Sequence, residues 1–304
     1  MVAQREVGMD HEHYEWLPLP GRPALSWPGG AGLALGVMVE LMSVDSSVQP
    51  GIRAAALPGG LGPRPHPNVP LLAHREYGHR VGIFRVLDAL HDAKVPASVV
   101  LDAETAVRYP WLVDHVLTRG ACIVAGGISP VNLMTEETPA DVESEYVERT
   151  LDLLEERTGA RPVGWYSSEY SESSRTPEIL AAAGVRYVCD WPNDDQPYWM
   201  NVPQGDLISL PPTYELDDAN ALLQRRVPPA AYGRLLQDSF DVLHRESTSS
   251  ARHYLLHLRP WLSGQPFRIR YLEEALAHAT AASGVWAGST DEMVAHYRNQ
   301  IPRV

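Results

Sequence analysis

Short apolar, β-branched runs alternate along the chain with longer stretches in which apolar positions recur every three or four residues. The runs predict strands at 32–40, 97–102, 121–125, 163–166, 185–190, 207–210, 253–258 and 284–287. The longer stretches predict helices near 80–93, 104–118, 139–158, 176–183, 229–246, 268–282 and 290–299. In the third helix Val142, Tyr146, Thr150 and Leu154 recur every four residues, with glutamates on the other faces. Its start reads as Thr138 capping, Pro139 in first position and Asp141 at the third, and Thr176-Pro177-Glu178 opens the next helix likewise. Strands alternating with helices require a mainly parallel sheet covered on both faces. About eight strands in 304 residues suggest closure into a (β/α) barrel, with an open doubly wound sheet as the alternative.

Residues 41–75 break this rhythm. They hold six prolines from Pro50 to Pro70 and four glycines between Gly51 and Gly62, so they read as a long loop after the first strand. Loops of this length serve as lids, subunit contacts or insertions. Otherwise residues 1–304 read as one domain with no internal repeat.

Composition narrows the class. Hydrophobic residues make up 44% of the chain, too many for disorder, and no run nears the length of a membrane span. A net charge of −13 disfavours sequence-independent binding to nucleic acid. Cys122 and Cys189 sit in apolar runs and read as reduced core residues. The acidic, His-rich start lacks the pattern of a secretory signal, so the expected location is cytoplasmic. No nucleophile elbow, P-loop or dinucleotide-binding glycine pattern occurs in the required context, and no cofactor is expected.

In α/β barrels chemistry collects at the carboxyl ends of the strands. Those ends carry Glu40, Asp102, Gly126-Gly127, Trp165-Tyr166, Asp190, Pro211 to Tyr214, and His257 to Arg259. A carboxylate closing an apolar strand is paired or used, which singles out Glu40 and Asp190. Asp102, followed by Ala-Glu, reads instead as a helix cap. His257 alternates with His253 inside a strand, where a histidine is more often a satisfied core residue than a ligand. Arg259 beside Trp261 can bind an anion or carbonyl, or pair with Glu40 or Asp190. The segment from Trp191 to Tyr198, with Asp194 at its middle, reads as a site wall.

Several strings are similar to one known family. His11-Glu12-His13-Tyr14, Ser26-Trp27-Pro28-Gly29-Gly30, Arg75-Glu76-Tyr77-Gly78, Arg80-Val81-Gly82, Ser171-Glu172, Arg175-Thr176-Pro177, Asp190-Trp191 and Asn193 to Tyr198 resemble polysaccharide-deacetylase-like proteins. The resemblance is strongest to the branch that includes metal-independent allantoinases and cyclic-imide hydrolases, and it runs through nearly the whole chain. It implies a distorted (β/α) barrel of about seven repeats. It also implies hydrolysis of a non-peptide C–N bond in an N-acetyl sugar, a cyclic amide or a cyclic imide.

The departures concern the family's histidines. Gly126 and Pro130 stand where the family carries two, Arg259 stands in a His-Pro pair, and Phe267 stands in Pro-His-Arg. Only Glu40 survives at the implied ligand positions, and a hydrolytic zinc needs three protein ligands, so no family-type metal is expected. Gly126 and Gly127 are expected to leave open space where relatives place a histidine. Two functions follow. One is a metal-free hydrolase of a small molecule, with Glu40 or Asp190 as general base and Arg259 stabilising the oxyanion. In it Trp165, Trp191 and Trp261 wall a ring-shaped substrate, assisted by Asp194 and His257. The other is a ligand-binding or regulatory relative that kept the barrel and lost catalysis. The 41–75 loop and the resemblance make a homo-oligomer the expected assembly.

Overall fold

The computed structural model describes residues 11–43, 50–54 and 67–303. Its strands are β1 (Leu33–Leu41), β2 (Arg53–Ala54), β3 (Ala97–Leu101), β4 (Cys122–Ala125), β5 (Asn132–Leu133), β6 (Gly164–Trp165), β7 (Tyr187–Val188), β8 (Tyr198–Trp199), β9 (Ile208–Ser209), β10 (Arg252–Leu258) and β11 (Val285–Ala287). The helices are α1 (Val69–Tyr77), α2 (Ile83–Asp92), α3 (Ala103–Arg108), α4 (Pro110–Thr118), α5 (Ala140–Thr158), α6 (Thr176–Ala182), α7 (Pro229–Glu246), α8 (Pro260–Ser263), α9 (Ile269–Ala281) and α10 (Thr290–Gln300).

The main sheet runs β10-β1-β3-β4-β6-β7-β9-β8, parallel throughout except for β8. From β1 to β9 the order follows the chain without reversal, which removes the doubly wound alternative. Seven parallel strands curl into a distorted barrel. Its seam, between β9 and β10, is bridged by loop bonds rather than a ladder: Thr213 N–H to the Leu255 carbonyl and His253 N–H to the Asp195 carbonyl, each 2.9 Å. His253 closes the same seam with Nε2 2.6 Å from the Pro211 carbonyl. Strand β11 pairs with the first residues of β1, and β3 with the last.

Alternation along β1 separates two cores. Leu33, Leu35, Val37, Val39 and Leu41 pack under the helices with Val86, Leu90, Leu272 and Leu276. Ala34 and Met38 face inward with Val100, Val124, Tyr166, Tyr187, Leu255 and Met293. Met293, on α10, plugs the amino end of the barrel, where the Thr290 N–H donates to Ser98 Oγ. The carboxyl end is left for polar groups, and Glu40 has the inward phase of Ala34 and Met38.

All eight expected strands are present, most trimmed by a residue or two, and the expected helices recur with two changes. The helix expected at 80–93 begins at Val69 and runs through a π-turn at Gly78–Gly82. Pro70 is a loop signal in the sequence, but a first-turn proline costs no hydrogen bond, and the Asn68 side chain caps Leu71 N–H. The loop therefore ends before Val69, and its parts at 44–49 and 55–66 lie outside the described residues. Pro110 divides the 104–118 helix at Tyr109. Thr138 does not cap α5; its hydroxyl accepts from Thr135 N–H, and Pro139 holds the cap position without a side-chain bond. Thr176 is itself helical and donates to Glu143. Among the described residues no helix is long and apolar enough to cross a membrane.

Candidate active site

Strands β1 and β10 lie side by side with Met38 opposite His257, so Glu40, His257 and Arg259 emerge together at the carboxyl end. All three are buried. His257 Nδ1 lies 3.2 Å from Asp217 Oδ2 and 3.0 Å from the Tyr170 hydroxyl, which itself donates to Asp217 Oδ2 at 2.7 Å. The Tyr170 hydroxyl gives its proton to Asp217, so its oxygen accepts at Nδ1, and the tautomer so assigned leaves the lone pair on Nε2. That atom has no hydrogen-bond partner among the described residues and lies 3.6 Å from Glu40 Oε2. The ring of Tyr166 stands edge-on to the imidazole at 4.7 Å, and its buried hydroxyl is likewise unpartnered.

Arg259 sits among carboxylates. Its Nε lies 3.0 Å from Glu40 Oε2 without hydrogen-bond alignment, Nη1 bonds Asp217 Oδ1, and its backbone N–H donates to Asp218 Oδ2 at 2.7 Å. Burial raises the pKa of Asp217, but Arg259, His257 and Tyr170 outweigh it and hold the carboxyl below its usual range. Burial pushes Asp218 up to about 6 against the pull of Arg259. Asp217 and Asp218 follow the 3₁₀ turn Tyr214–Leu216, just beyond the Pro211–Tyr214 stretch that the sequence marked. An adjacent pair of acids after a strand-end turn was the available signal.

The segment 69–82 supplies two further buried groups. The Arg75 side chain is 3% exposed, and His79 follows one turn later. Arg75 Nε and His79 Nε2 have no partner among the described residues. The charges that act on Arg75 are Glu40, Arg259 and Glu169, which places it at the same cluster. Burial, helped by Arg75, lowers the His79 pKa to about 4, so its ring is neutral at pH 7. Glu169 and Tyr170, beside the cluster, both hold left-handed backbone at φ 53° and 58°. Such strain in non-glycine residues persists where the surroundings enforce it, commonly at functional sites.

Asp190 lies in a neighbouring carboxyl pair. Its Oδ1 accepts from Ser167 N–H at 2.8 Å, while Glu172, the other member, accepts from the Trp191 indole at 3.0 Å. Burial drives Asp190 up to about 7 and Glu172 well above its usual value, so at neutral pH the pair retains a proton. Asp102 caps α3 as expected, accepting from Thr105 N–H and Ser43 N–H at 2.6 Å each.

The expected aromatic wall is not assembled. Trp165 points outward into the helix-side core, 1% exposed, with its indole on Ser167 Oγ, because β6 gives the inward phase to Tyr166. Trp261 is buried under α1, with His74 edge-on at 5.1 Å and the Arg75 guanidinium 5.0 Å above its ring. Trp191 touches Glu172 and the rings of His11, His13 and Tyr14. Asp194 is taken by Arg22, whose Nη1 donates at 2.6 Å, beside a cavity of about 490 Å³ shared by Tyr14, Tyr198 and Tyr297. Asp194 thus makes its contacts away from Glu40 and His257.

Nor do Gly126 and Gly127 leave space. A Cβ on Gly126 would lie 3.0 Å from Val100 and 3.2 Å from Met42. Gly127 has φ +79°, and a Cβ there would meet the Tyr146 hydroxyl at 2.4 Å. That hydroxyl accepts from Ile128 N–H, so Tyr146 fills the volume instead. Glu40 already faces Arg259, and among the described residues no three His, Cys, Asp or Glu side chains are grouped to hold a metal ion.

No family model matches the chain. It is 24% identical over 91% of its length, and 93% of the other's, to a Schizosaccharomyces pombe protein described provisionally as a polysaccharide deacetylase. A solved structure from Pseudomonas aeruginosa PAO1, described as a probable polysaccharide deacetylase, superposes with TM-score 0.81 at 25% identity, covering 93% of this chain and 97% of that one. The PuuE allantoinase superposes with TM-score 0.82 at 23% identity, covering 99% of this chain and 100% of that one. Along nearly its whole length the chain is similar to proteins described as polysaccharide deacetylases, and it has the fold of that allantoinase structure.

Proposed function

We propose that the protein is a hydrolase of the deacetylase superfamily that cleaves a non-peptide C–N bond in a small amide or imide, using its own side chains for proton transfer. The observation that carries this reading is His257, held at Nδ1 by Tyr170 and Asp217, with its open Nε2 in a cluster that also holds the Tyr166 hydroxyl, unpartnered among the described residues. In this role His257 replaces Glu40 and Asp190 as general base. Glu40 is engaged by Arg259, and burial holds the Asp190 carboxyl up at about 7 beside Glu172. Nε2 takes a proton from water as the oxygen adds to the substrate carbonyl carbon. The carbonyl oxygen becomes an oxyanion, met by Tyr166 and Arg259. Collapse breaks the C–N bond, and the departing nitrogen takes the proton from His257. Glu40 orients the water and balances Arg259.

The test uses chelator-treated protein of measured metal content, offered cyclic amides, cyclic imides and N-acetyl sugars. Turnover without stoichiometric metal supports the reading. Ring ligands that bind but are never hydrolysed would instead identify a binding protein that kept the barrel. Zinc bound through Glu40 and His257, with activity dependent on it, would overturn the metal-free assignment.

A further inference from the structure

We infer that Arg75 is the recognition group for a carboxylate on the substrate, so that the protein acts on anionic rather than neutral amides. The inference rests on the hydrolase reading of the same site. Arg75 is 3% exposed, donates no hydrogen bond and has no ion pair within 4.0 Å among the described residues. Among the described residues the other deeply buried arginines differ. Arg259 bonds Asp217, and Arg252 donates to the Ser250 carbonyl at 2.6 Å. A guanidinium carries five N–H donors in a rigid fork, and taking it from water without an acceptor is costly. The Trp261 ring beneath it supplies a cation–π contact on one face but no acceptor in the plane of the fork. That plane is where a carboxylate binds bidentately.

The packing that holds Arg75 is built in. Its helix passes through the π-turn at Gly78–Gly82, and a Cβ on Gly82 would lie 2.0 Å from the Pro260 carbonyl oxygen. A Cβ on Gly264 would lie 2.5 Å from Gly82 Cα. The two backbones therefore touch directly beside Arg259, fixing the segment that carries one guanidinium against the segment that carries the other. Their electrostatic neighbours overlap: Glu40 and Tyr166 act on both. Arg259 is occupied by protein carboxylates, and Arg75 is not. His79, one turn further and neutral, stacks on Tyr109, and its Nε2 has no partner among the described residues.

Isothermal titration of the wild-type chain with hydantoin and with hydantoin-5-acetate compares one ring without and with a carboxylate. The inference expects the carboxylate to bind about 100-fold more tightly, and Arg75→Gln to abolish that preference while leaving hydantoin affinity within a few-fold. Arg75→Lys, which keeps the charge but loses the fork, is expected to recover only part of it. Because removing an unpaired buried charge relieves a cost, Arg75→Met is expected to raise Tm in the ligand-free protein. Equal affinities for the two ligands in the wild type would overturn the inference, even if no variant folds. So would an equal loss for both ligands in Arg75→Gln. Carboxylate preference without turnover would sink the hydrolase reading and leave Arg75 as the anion site.

Discussion

Asp217 Oδ2 stands 3.2 Å from His257 Nδ1, while the opposite ring nitrogen, Nε2, has no hydrogen-bond partner among the described residues. An imidazole fixed at one nitrogen and open at the other is arranged to move a proton. His257→Gln is therefore expected to lower kcat by about 10² to 10⁴, the usual contribution of a positioned acid–base group, with the fold retained. Asp217→Asn is expected to lower kcat while changing KM less, because it disturbs the tautomer rather than the walls. Steady-state kinetics and circular dichroism on both variants check this. Wild-type kcat in His257→Gln would remove the residue from the reaction.

Arg259 ties together Glu40, Asp217 and the Asp218 turn. Arg259→Ala leaves those buried carboxylates without their cation, at a cost of about 3–5 kcal/mol. Arg259→Lys keeps the charge but cannot reproduce the spread of contacts. Both variants are expected to melt earlier and to bind substrate more weakly, with Lys the milder. Ligand affinity unchanged in the folded fraction of Arg259→Ala would leave the residue a purely structural role.

Burial raises the Asp190 pKa from 3.8 to about 7, and Asp102 from 3.8 to about 7. A carboxyl that holds its proton more tightly folded than unfolded stabilises the fold at low pH and loses that contribution as pH rises. The expected result is a Tm that falls between about pH 4 and pH 7. Asp217, shifted the other way, contributes above its unfolded pKa and loses its share as pH drops below it. Asp190→Asn is expected to flatten the pH 4–7 slope, read from thermal melts at pH 4.5 and 7.5. An unchanged slope would show that the pair does not titrate in this range.

Placing a histidine at Gly126, where the resemblance implies one, is expected to destabilise the protein rather than create a metal site. The added side chain meets Val100 and Met42, and overpacking of this kind costs about 1–3 kcal/mol. Gly127→Ala is expected to be worse than an ordinary Gly→Ala change, since it combines φ +79° with a clash on Tyr146. Melting temperatures and zinc titrations check both. A stable Gly126→His chain that binds zinc tightly would show that the neighbours can yield.

The sequence by itself determined the strand–helix alternation and a mainly parallel sheet, and it put Glu40, His257 and Arg259 at the ends of their strands, while the strand order alone decided for the barrel over a doubly wound sheet. Period and strand length carry that information locally, because each strand's inward phase follows from its own alternation. It also carried Asp102 as a helix cap, a role decided within four residues. Tertiary structure alone decided what those residues face. Asp217 reaches His257 across 40 positions of chain, and Arg75 reaches the cluster through a helix that its proline disguised as loop. The same distance effect misplaced Trp165, whose phase on a two-residue strand sends it outward, and Trp261, which α1 covers. Whether a glycine leaves space depends on neighbours that local sequence does not name. Here Met42, Val100 and Tyr146 fill the volume that a missing histidine suggested, because a close-packed interior admits few voids.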